Sequence, residues 1–182
     1  MLVRNFSLAL LTMLLLVVPF RLALTATCSP QSDAKKDAIL KASDITSTIF
    51  PEKVFYRGKV ADVQMRNTGG IHFADDYYVL AGLVDTSGYA SDLREKYQGY
   101  FLSEVPVEIN GKLLKPGAYG VGFMSEARFI VSDLGGSTIL EITGQRDAEL
   151  TRPTPLQVLA APEGGAYRLY IGRNFVVVKR VK

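Results

Sequence analysis

Residues 105–131 carry the clearest alternation of apolar and polar positions in the chain. The apolar positions at its start are Val105, Val107 and Ile109. This period of two is typical of a half-buried strand. Asn110-Gly111 follows, and the pair favours a type I′ hairpin turn because both of its residues tolerate positive φ. The alternation therefore predicts a hairpin centred on residues 110–111.

The second half of this segment predicts that the chain continues as a β-meander. Pro116-Gly117 has the composition of a type II turn, in which proline fixes φ and glycine takes a positive φ. Large and small residues then alternate, and the small face consists of Ala118, Gly120 and Gly122. Because glycine inside a strand marks the close approach of another backbone or of a ligand, this face is a candidate contact surface.

Short apolar runs separated by turn-forming residues recur along the rest of the chain. They predict strands at 54–56, 60–65, 71–73, 128–131, 139–142, 156–159, 167–171 and 175–181, and residues 98–102 lead into the segment 105–131. Thr68-Gly69-Gly70 predicts a turn between two of these strands. The long apolar run 77–84 favours a central strand buried on both faces. About ten short strands predict an all-β fold, either an antiparallel β-sandwich or a flattened barrel.

Two stretches have helical rather than strand character. Residues 37–50 predict a short N-terminal helix, because their isoleucine and leucine residues can share one face and Pro51 ends the run. An irregular segment laid over one end of the core is the alternative. Residues 91–97 predict one or two helical turns with Ser91 as the N-cap.

The N-terminal region has the composition of a secretory signal peptide. Arg4 precedes an apolar run at 6–20 that is too short to span a bilayer comfortably. A start-anchored transmembrane helix is the alternative, and Arg21 with the small residues after it argues against that. We expect 1–27 to be a signal peptide, 28–36 a tether and 37–182 a single β-sandwich domain. The expected location is periplasmic, envelope-attached or extracellular.

Cys28 is the single cysteine of the chain, so no internal disulfide can form. Its position just after the apolar run makes it a candidate for lipidation, although Thr27 and Thr25 differ from the residues of a bacterial lipoprotein signal. Removal with the signal and a free thiol near the mature N-terminus are the alternatives. We expect membrane contact only through the signal or such a lipid anchor.

The charge balance and the scarcity of metal ligands exclude several classes of partner. The chain has 21 lysine and arginine residues against 18 acidic ones, and losing Arg4 and Arg21 with the signal leaves 19 against 18, a net charge of +1. The sequence lacks the basic cluster that nucleic-acid binding requires. With one histidine and one cysteine, a zinc site lacks ligands. We therefore expect no cofactor, no metal and no nucleic-acid partner.

The segment 83–88, Leu-Val-Asp-Thr-Ser-Gly, carries the strongest enzymatic signal. It resembles the active-site motif of aspartic proteases, in which two apolar residues precede Asp-Thr-Gly. The resemblance implies a carboxylate-dependent hydrolase with Asp85 as its catalytic residue, but Ser87 stands where that family has glycine. The alternative is a strand-ending turn in which Asp85 accepts hydrogen bonds from the backbone amides of Ser87 or Gly88. We predict this turn cap.

Aromatic and polar residues are a second source of candidate sites. The chain has nine tyrosines, and an amphipathic ring suits sugars, peptides and lipids. Packing in the core or at its rim is the alternative role for such rings. The candidate ligand-binding residues are His72, Asp85, Ser87, Tyr89, Tyr97 and Tyr119.

Residues 111–119 resemble a G-x-x-L-x-x-G-x-Y element found in uncharacterised exported bacterial β-sandwich domains. The matching positions are Gly111, Leu114, Gly117 and Tyr119. The resemblance implies the fold and a bacterial envelope setting, and it implies no activity.

Three functional hypotheses follow. The first is a non-enzymatic binding module whose ligand is a small molecule, a peptide or an envelope protein. The second is a hydrolase that uses Asp85. The third is a structural or assembly protein whose exposed strand edges pair with a partner by β-augmentation. A deep pocket with convergent polar groups favours the first two hypotheses, and a bare strand edge favours the third.

Overall fold

Fourteen β-strands organise residues 35–181, the part of the chain that the computed structural model describes. In chain order they are β1 (Ala38–Lys41), β2 (Lys53–Tyr56), β3 (Lys59–His72), β4 (Tyr78–Val84), β5 (Gly99–Ser103), β6 (Val107–Ile109), β7 (Lys112–Leu114), β8 (Gly117–Phe123), β9 (Arg128–Ser132), β10 (Thr138–Thr143), β11 (Gln145–Arg146), β12 (Leu156–Ala160), β13 (Ala166–Ile171) and β14 (Asn174–Arg180). Two short helical segments accompany them, α1 (Ser91–Lys96) and a 3₁₀ turn (Ser125–Ala127). The predicted all-β class is confirmed.

These strands form two sheets in which every pair is antiparallel. The larger sheet has the order β1-β3-β4-β5-β8-β9-β10, with β2 paired to the first part of β3. The second sheet has the order β12-β13-β14-β6-β7, with β11 paired to β14. Within the described residues, β1 and β10 therefore end the larger sheet, and β12 and β7 end the second.

One hydrophobic core draws side chains from both sheets. The larger sheet contributes Val121 and Phe129, among others, and the second sheet contributes Leu169 and Val176. All four side chains are buried. Burying a large apolar side chain stabilises a fold by about 1.5–3 kcal/mol, so this shared core is the main force that holds the two sheets together.

A second hydrophobic cluster lies on the opposite face of the larger sheet. Along β4, Val79 and Ala81 belong to the shared core, whereas Leu80 and Val84 belong to the second cluster. The predicted central strand with two buried faces is thus confirmed. Turns at 42–50, the β2–β3 hairpin and α1, through Leu93, cover this second cluster.

The hairpin turn at 110–111 is confirmed, but the predicted β-meander is wrong. Asn110 and Gly111 have φ values of 45° and 82°, and the strands pair directly across them. However, β6 and β7 belong to the second sheet, whereas β8 and β9 belong to the larger one. The chain crosses between the sheets at a bend at Pro116, and Gly117 has a φ of 157° rather than the value near 80° of a type II turn. Alternation has the same period in either sheet, so it does not report which sheet a strand joins.

The predicted N-terminal helix at 37–50 is also wrong. Its first part is β1, which pairs with β3 from Ala38 opposite His72 to Lys41 opposite Gly69. Ile39 packs against the shared core and Leu40 against the second cluster, so burial on two opposite faces favours a strand. Residues 42–50 form turns over the second cluster, in agreement with the alternative of an irregular covering segment.

The turn predicted at Thr68-Gly69-Gly70 is a third error, because these residues lie inside β3. A Cβ atom on Gly70 would stand 2.6 Å from Leu80 Cδ2 and 2.6 Å from Val79 O. The glycine is thus required by the close approach of β4 and not by a turn. The register of β3 against β4 instead shifts earlier, between Val63 and Thr68, where β3 bulges.

The helical turns predicted at 91–97 are confirmed as α1, but Ser91 is not their N-cap. The N-cap is Ala90, which has no side-chain capping bond. Ser91 Oγ instead accepts a hydrogen bond from the Arg94 guanidinium at 3.1 Å. The hydroxyl of Ser91 is one residue too late in the chain to cap the free amides.

The predicted signal peptide, the lipidation candidate Cys28 and most of the predicted tether lie outside the described residues. Between residues 35 and 181, no helix has the length and apolar character that a membrane crossing requires. Export and lipidation therefore stay predictions.

Candidate functional site

The predicted ligand-binding residues do not converge on one cavity. His72 ends β3 and pairs with Tyr78 at the start of β4, whereas Asp85 follows the last residue of β4. The length of β4, about 20 Å at the rise of an extended strand, separates the two. Tyr119 points from β8 into the shared core. A site that combines His72 with Asp85 is therefore excluded.

Asp85 has the predicted role of a turn cap. Its Oδ1 accepts a hydrogen bond from the Ser87 N–H at 2.9 Å, and its own N–H donates to the Asp62 carbonyl at 2.8 Å. The hydrogen bond from Ser87 holds the pKa of the Asp85 carboxyl below its ordinary value. Both Asp85 and Ser87 are exposed, so they close a surface turn at the end of β4.

His72 belongs to a polar cluster at the opposite end of β4. Its ring stacks on Tyr78 with centroids 4.4 Å apart, and its Nε2 lies 2.9 Å from Asp76 Oδ1. Lys35 pairs with the same carboxylate, and the hydrogen bonds from Lys35 and His72 hold the pKa of Asp76 below its ordinary value. This cluster fastens the first described residues to the turn between β3 and β4.

Tyr89 and Tyr97 lie inside the second hydrophobic cluster rather than on a ligand surface. Tyr97 is fully buried and stacks on Tyr56, with ring centroids 3.8 Å apart and planes 16° apart. The Tyr89 hydroxyl donates to the Tyr56 carbonyl at 3.1 Å, whereas the buried Tyr97 hydroxyl has no hydrogen-bond partner among residues 35–181. Burial raises the pKa of Tyr97. The core-packing alternative therefore holds for both rings.

The small face of β8 is filled by this tyrosine cluster. A Cβ atom on Gly120 would stand 2.6 Å from Tyr56 Cε2 and 2.9 Å from Tyr97 Cδ2, and one on Gly122 would stand 2.6 Å from the Lys96 carbonyl at the end of α1. The close approach that the glycine spacing predicts is therefore real. It comes from the chain itself and not from a ligand.

In each of two broad surface depressions, one charged lining residue is already paired with a neighbouring side chain. In the depression of about 760 Å³ beside the C-terminal strand, Arg180 binds Asp75 through two hydrogen bonds of 2.6 and 2.7 Å. In the depression of about 670 Å³ at residues 145–151, Tyr170 donates to the Asp147 carboxylate at 3.0 Å. Among the described residues, no group of three or more histidine, cysteine, aspartate or glutamate side chains is placed to hold a metal ion.

A third cavity, of about 410 Å³, lies between the edge strands β1 and β12 and is here called the edge slot. Its lining is mainly apolar and comes from both edge strands and from the part of β3 next to them. The lining residues are Ile39, Leu40, Lys41, Ala42, Arg66, Thr68, Gly69, Thr154, Leu156, Gln157, Val158 and Leu159. Its volume is within the range of ligand sites, whereas the void inside the shared core measures only about 10 Å³.

The β1 wall of the edge slot presents backbone groups that β3 does not use. The Lys41 N–H donates to the Asp44 carboxylate at 2.9 Å instead of to β3. Hydrogen-bonding direction alternates along an antiparallel strand, so Ile39, two residues earlier, also directs its N–H and C=O away from β3. The β1 edge is therefore open at Ile39.

The β12 wall is open in the same way. The Pro155 carbonyl accepts from Gly172, and the Ala161 N–H donates to Ala166, so the odd-numbered positions face β13. The N–H and C=O groups of Val158 and Ala160 consequently point away from β13. Val158 is buried, and its nitrogen would stand 3.4 Å from a Cβ atom on Gly69, whereas Ala160 is exposed. The edge slot thus has an unpaired strand edge on each side and apolar side chains between them.

The charged side chains and the unpartnered buried side-chain group that the described residues place at the edge slot are donors. Lys41 and Arg66 are its only charged lining residues, and both are cationic. The side-chain nitrogen of Gln157 is buried and has no hydrogen-bond partner within the described region. Leu159 leaves 37% of its surface exposed at the mouth of the edge slot. The arrangement is suited to an occupant that has apolar side chains and acceptor groups.

Sequence reasoning missed this site because half of it, β1, was predicted as helix. One signal pointed to the other half. Pro153 and Pro155 precede β12, and proline is confined to edge strands and strand starts because it cannot donate to a ladder. The sequence therefore held a sign of an edge at β12 but none of what lies opposite.

Comparisons of the chain with protein-family models, with curated proteins and with solved structures give no match. The function must therefore be inferred from the geometry of the described residues.

Proposed function

We propose that this protein is an exported, non-enzymatic binding module, built as a β-sandwich, that holds an extended peptide segment of another protein in the edge slot. The sandwich is supported by the core that both sheets share. Export is supported by the sequence of residues 1–27. The proposal unites two of the hypotheses drawn from the sequence, because the binding site is itself a pair of strand edges.

The main evidence for this proposal is that two open strand edges flank one apolar cavity. An extended peptide satisfies the backbone N–H and C=O groups of an edge strand, and its alternate side chains enter the spaces on either side. At Ala160 the exposed edge of β12 offers such groups, and Ile39 offers them on the opposite wall. A compact ligand would fill the cavity but leave these backbone groups unpaired, so a strand-like occupant fits better.

Two geometric facts weigh against the hydrolase hypothesis. The Asp85 carboxylate already accepts the Ser87 amide in an exposed turn. The single histidine, His72, lies at the other end of β4 and pairs with Asp76. General acid–base chemistry needs its groups within hydrogen-bond reach of one another or of a common substrate atom, and this separation does not provide that.

A panel of random twelve-residue peptides displayed on phage provides the test. We expect enriched peptides to alternate apolar and polar residues, because every second side chain of a paired strand faces the cavity. A synthetic peptide of the enriched sequence is then titrated by fluorescence anisotropy. Absence of any enriched alternating sequence would overturn the proposal.

Two matched pairs of variants locate the binding. Ala160→Pro removes the N–H that faces the open side of β12, whereas Ala160→Ser keeps it, and Ala160 is exposed, so neither change disturbs the core. Leu159→Ser removes apolar surface from the edge slot, and Leu113→Ser does the same on β7, outside it. We expect Ala160→Pro and Leu159→Ser each to weaken binding about tenfold, equivalent to about 1.4 kcal/mol. Equal affinity across each pair would place the peptide elsewhere.

Intact-mass measurement of the protein from its native envelope tests export separately. We expect residues up to about position 26 to be absent. Retention of the apolar run at 6–20 would contradict export by cleavage, and the added mass of acyl chains on Cys28 would establish lipidation.

A further inference from the structure

We infer that the segment held in the edge slot is acidic, with a carboxylate that pairs with Arg66. This inference rests on the proposed function and specifies its partner: an extended segment of another protein in which apolar residues alternate and at least one polar position is aspartate or glutamate. The charges, the local backbone and the unpaired donors of the site lead to it in turn.

The lining of the edge slot is positively charged. Of its twelve residues, the two charged ones are Lys41 and Arg66, and both are cations. The chain as a whole is almost balanced in charge, so a site that lacks any acid is not a consequence of overall composition. A cationic site with apolar walls attracts a segment that carries both apolar side chains and negative charge.

The local backbone of β3 places Arg66 at the edge slot. It stands on the bulge of β3, where the register shifts between Val63 and Thr68. Two side-chain hydrogen bonds brace this bulge: Thr68 Oγ1 donates to the Met65 carbonyl at 2.7 Å, and Asn67 Nδ2 donates to Gln64 Oε1 at 2.7 Å. Bulges redirect side chains out of a regular ladder, and this one turns Arg66 to the edge slot.

The guanidinium of Arg66 has no partner among the described residues. Its side chain is exposed and takes part in no salt bridge or hydrogen bond with another residue in the range 35–181. Asp44, the acid beside Lys41, is already engaged, because it accepts from the Lys41 N–H at 2.9 Å and from the Ser43 hydroxyl at 3.1 Å. A planar guanidinium with free donors binds a carboxylate through two parallel hydrogen bonds.

Gln157 adds an independent observation on the opposite wall. Its buried side-chain nitrogen has no acceptor among the described residues, and buried donors without partners are rare in native folds. An oxygen of the bound segment, from its backbone or from a carboxylate, supplies that acceptor. The side-chain donors on the two walls therefore favour acceptor groups in the occupant, and the two cationic residues favour a negatively charged one among them.

After loss of the predicted signal peptide, the chain's own residues before Lys35 are a poor match for this occupant. Residues 29–34, Ser-Pro-Gln-Ser-Asp-Ala, contain one acid but no large apolar side chain, and their proline lacks the N–H that a strand ladder uses. The edge slot needs apolar side chains to replace the water on Ile39, Val158 and Leu159. The inferred occupant is therefore a segment of a different protein.

Two labelled ten-residue peptides test the inference. Both alternate valine with polar residues; one has glutamate at two polar positions and the other has glutamine there. Anisotropy titrations against the parent protein, Arg66→Gln and Lys115→Gln are run at 50 and 500 mM salt. Lys115 is an exposed cation outside the edge slot, so Lys115→Gln controls for net charge.

We expect the parent to bind the glutamate peptide at least tenfold more tightly than the glutamine peptide at low salt, with a smaller ratio at high salt because ions screen exposed charges. Arg66→Gln should abolish this preference, and Lys115→Gln should retain it. Equal binding of both peptides by the parent, or a preference that survives in Arg66→Gln, would overturn the acidic segment while leaving the proposed function intact.

Failure of both peptides to bind would overturn the proposed function as well. Sodium dodecanoate, titrated in competition with the fluorescent anion 1-anilinonaphthalene-8-sulfonate, then identifies the other source of a carboxylate with an apolar body. Displacement that depends on Arg66 would assign the site to a free amphiphile and refute the peptide. Urea denaturation midpoints of all variants, expected to equal that of the parent because Arg66 and Lys115 are exposed, show that each one is folded.

Discussion

The side chain of Asn110 joins the two sheets, so its replacement has a well-defined expected effect on stability. Its Oδ1 accepts a hydrogen bond from the Val177 N–H on β14 at 2.7 Å, and its Nδ2 donates to the Thr143 carbonyl at the end of β10 at 2.8 Å. The residue also has a φ of 45°, which the type I′ turn requires. The change Asn110→Gly keeps the turn and removes both bonds.

The structure gives the magnitude of the expected loss. Each of the two hydrogen bonds contributes about 0.5–1.5 kcal/mol net, and the added chain entropy of glycine in the unfolded state costs about 0.5–1 kcal/mol. Asn110→Gly should therefore lower the free energy of unfolding by about 1.5–4 kcal/mol. Asn110→Asp separates the two bonds, because it keeps the acceptor for Val177 and replaces the donor to Thr143 by an oxygen.

Urea denaturation followed by far-ultraviolet circular dichroism and tyrosine fluorescence measures this loss, since the chain has nine tyrosines and no tryptophan. We expect a lower midpoint for Asn110→Gly with an unchanged slope, the sign that stability and not compactness has changed. Asn110→Asp should have a midpoint between those of the parent and Asn110→Gly, or one equal to that of Asn110→Gly. A midpoint for Asn110→Gly that coincides with the parent would refute the role of this side chain as a link between the sheets.

Four further changes and one control test the second hydrophobic cluster and the ion pair between Asp75 and Arg180. Tyr97→Phe removes a buried hydroxyl without a partner in the described region and should leave the free energy of unfolding unchanged or raise it by about 1–2 kcal/mol. Tyr56→Phe loses a 2.7 Å hydrogen bond to the Ser132 hydroxyl and should lower the free energy of unfolding by about 0.5–1.5 kcal/mol. Equal urea midpoints for the two variants would contradict this packing. Gly120→Ala places a Cβ atom against two tyrosine rings and should lower the free energy of unfolding by about 1–3 kcal/mol. Gly88→Ala is the control, because a Cβ atom on Gly88 would have nothing within 4 Å. Similar thermal midpoints for both variants would show that β8 is not tightly covered. The hydrogen bonds from the Arg180 guanidinium lower the pKa of Asp75, so the stability that this carboxylate contributes is present near neutral pH and is lost progressively as the pH falls below about 4. Asp75→Asn should therefore be less stable than the parent at pH 7, and this difference should shrink as the pH falls below about 4. A difference that stays constant in urea titrations across this range would disprove the ion pair.

The sequence alone determined the secondary structure where local chemistry leaves a single choice. Asn110-Gly111 specifies its hairpin because positive φ at two successive positions excludes most other pairs. The strand 77–84 was recognisable because a continuous apolar run of that length, bounded by aspartates, has to be buried on both sides. The turn cap of Asp85 was also predictable, since an aspartate reaches the amide two residues onward wherever a strand ends.

Tertiary structure decided which elements meet, and the candidate site depends entirely on that. Residues 38–41 match a helical period, yet they form β1 because β3 offers them a ladder and both of their faces become buried. Gly69 and Gly70 have the composition of a turn, yet they lie within a strand because neighbouring strands approach too closely for a Cβ atom. The edge slot arises where β1 of one sheet comes to lie beside β12 of the other, and these strands are more than a hundred residues apart in the chain. A local pattern fixes the period of a segment and which of its faces is apolar, but the neighbour that covers that face is set by the packing of the whole chain.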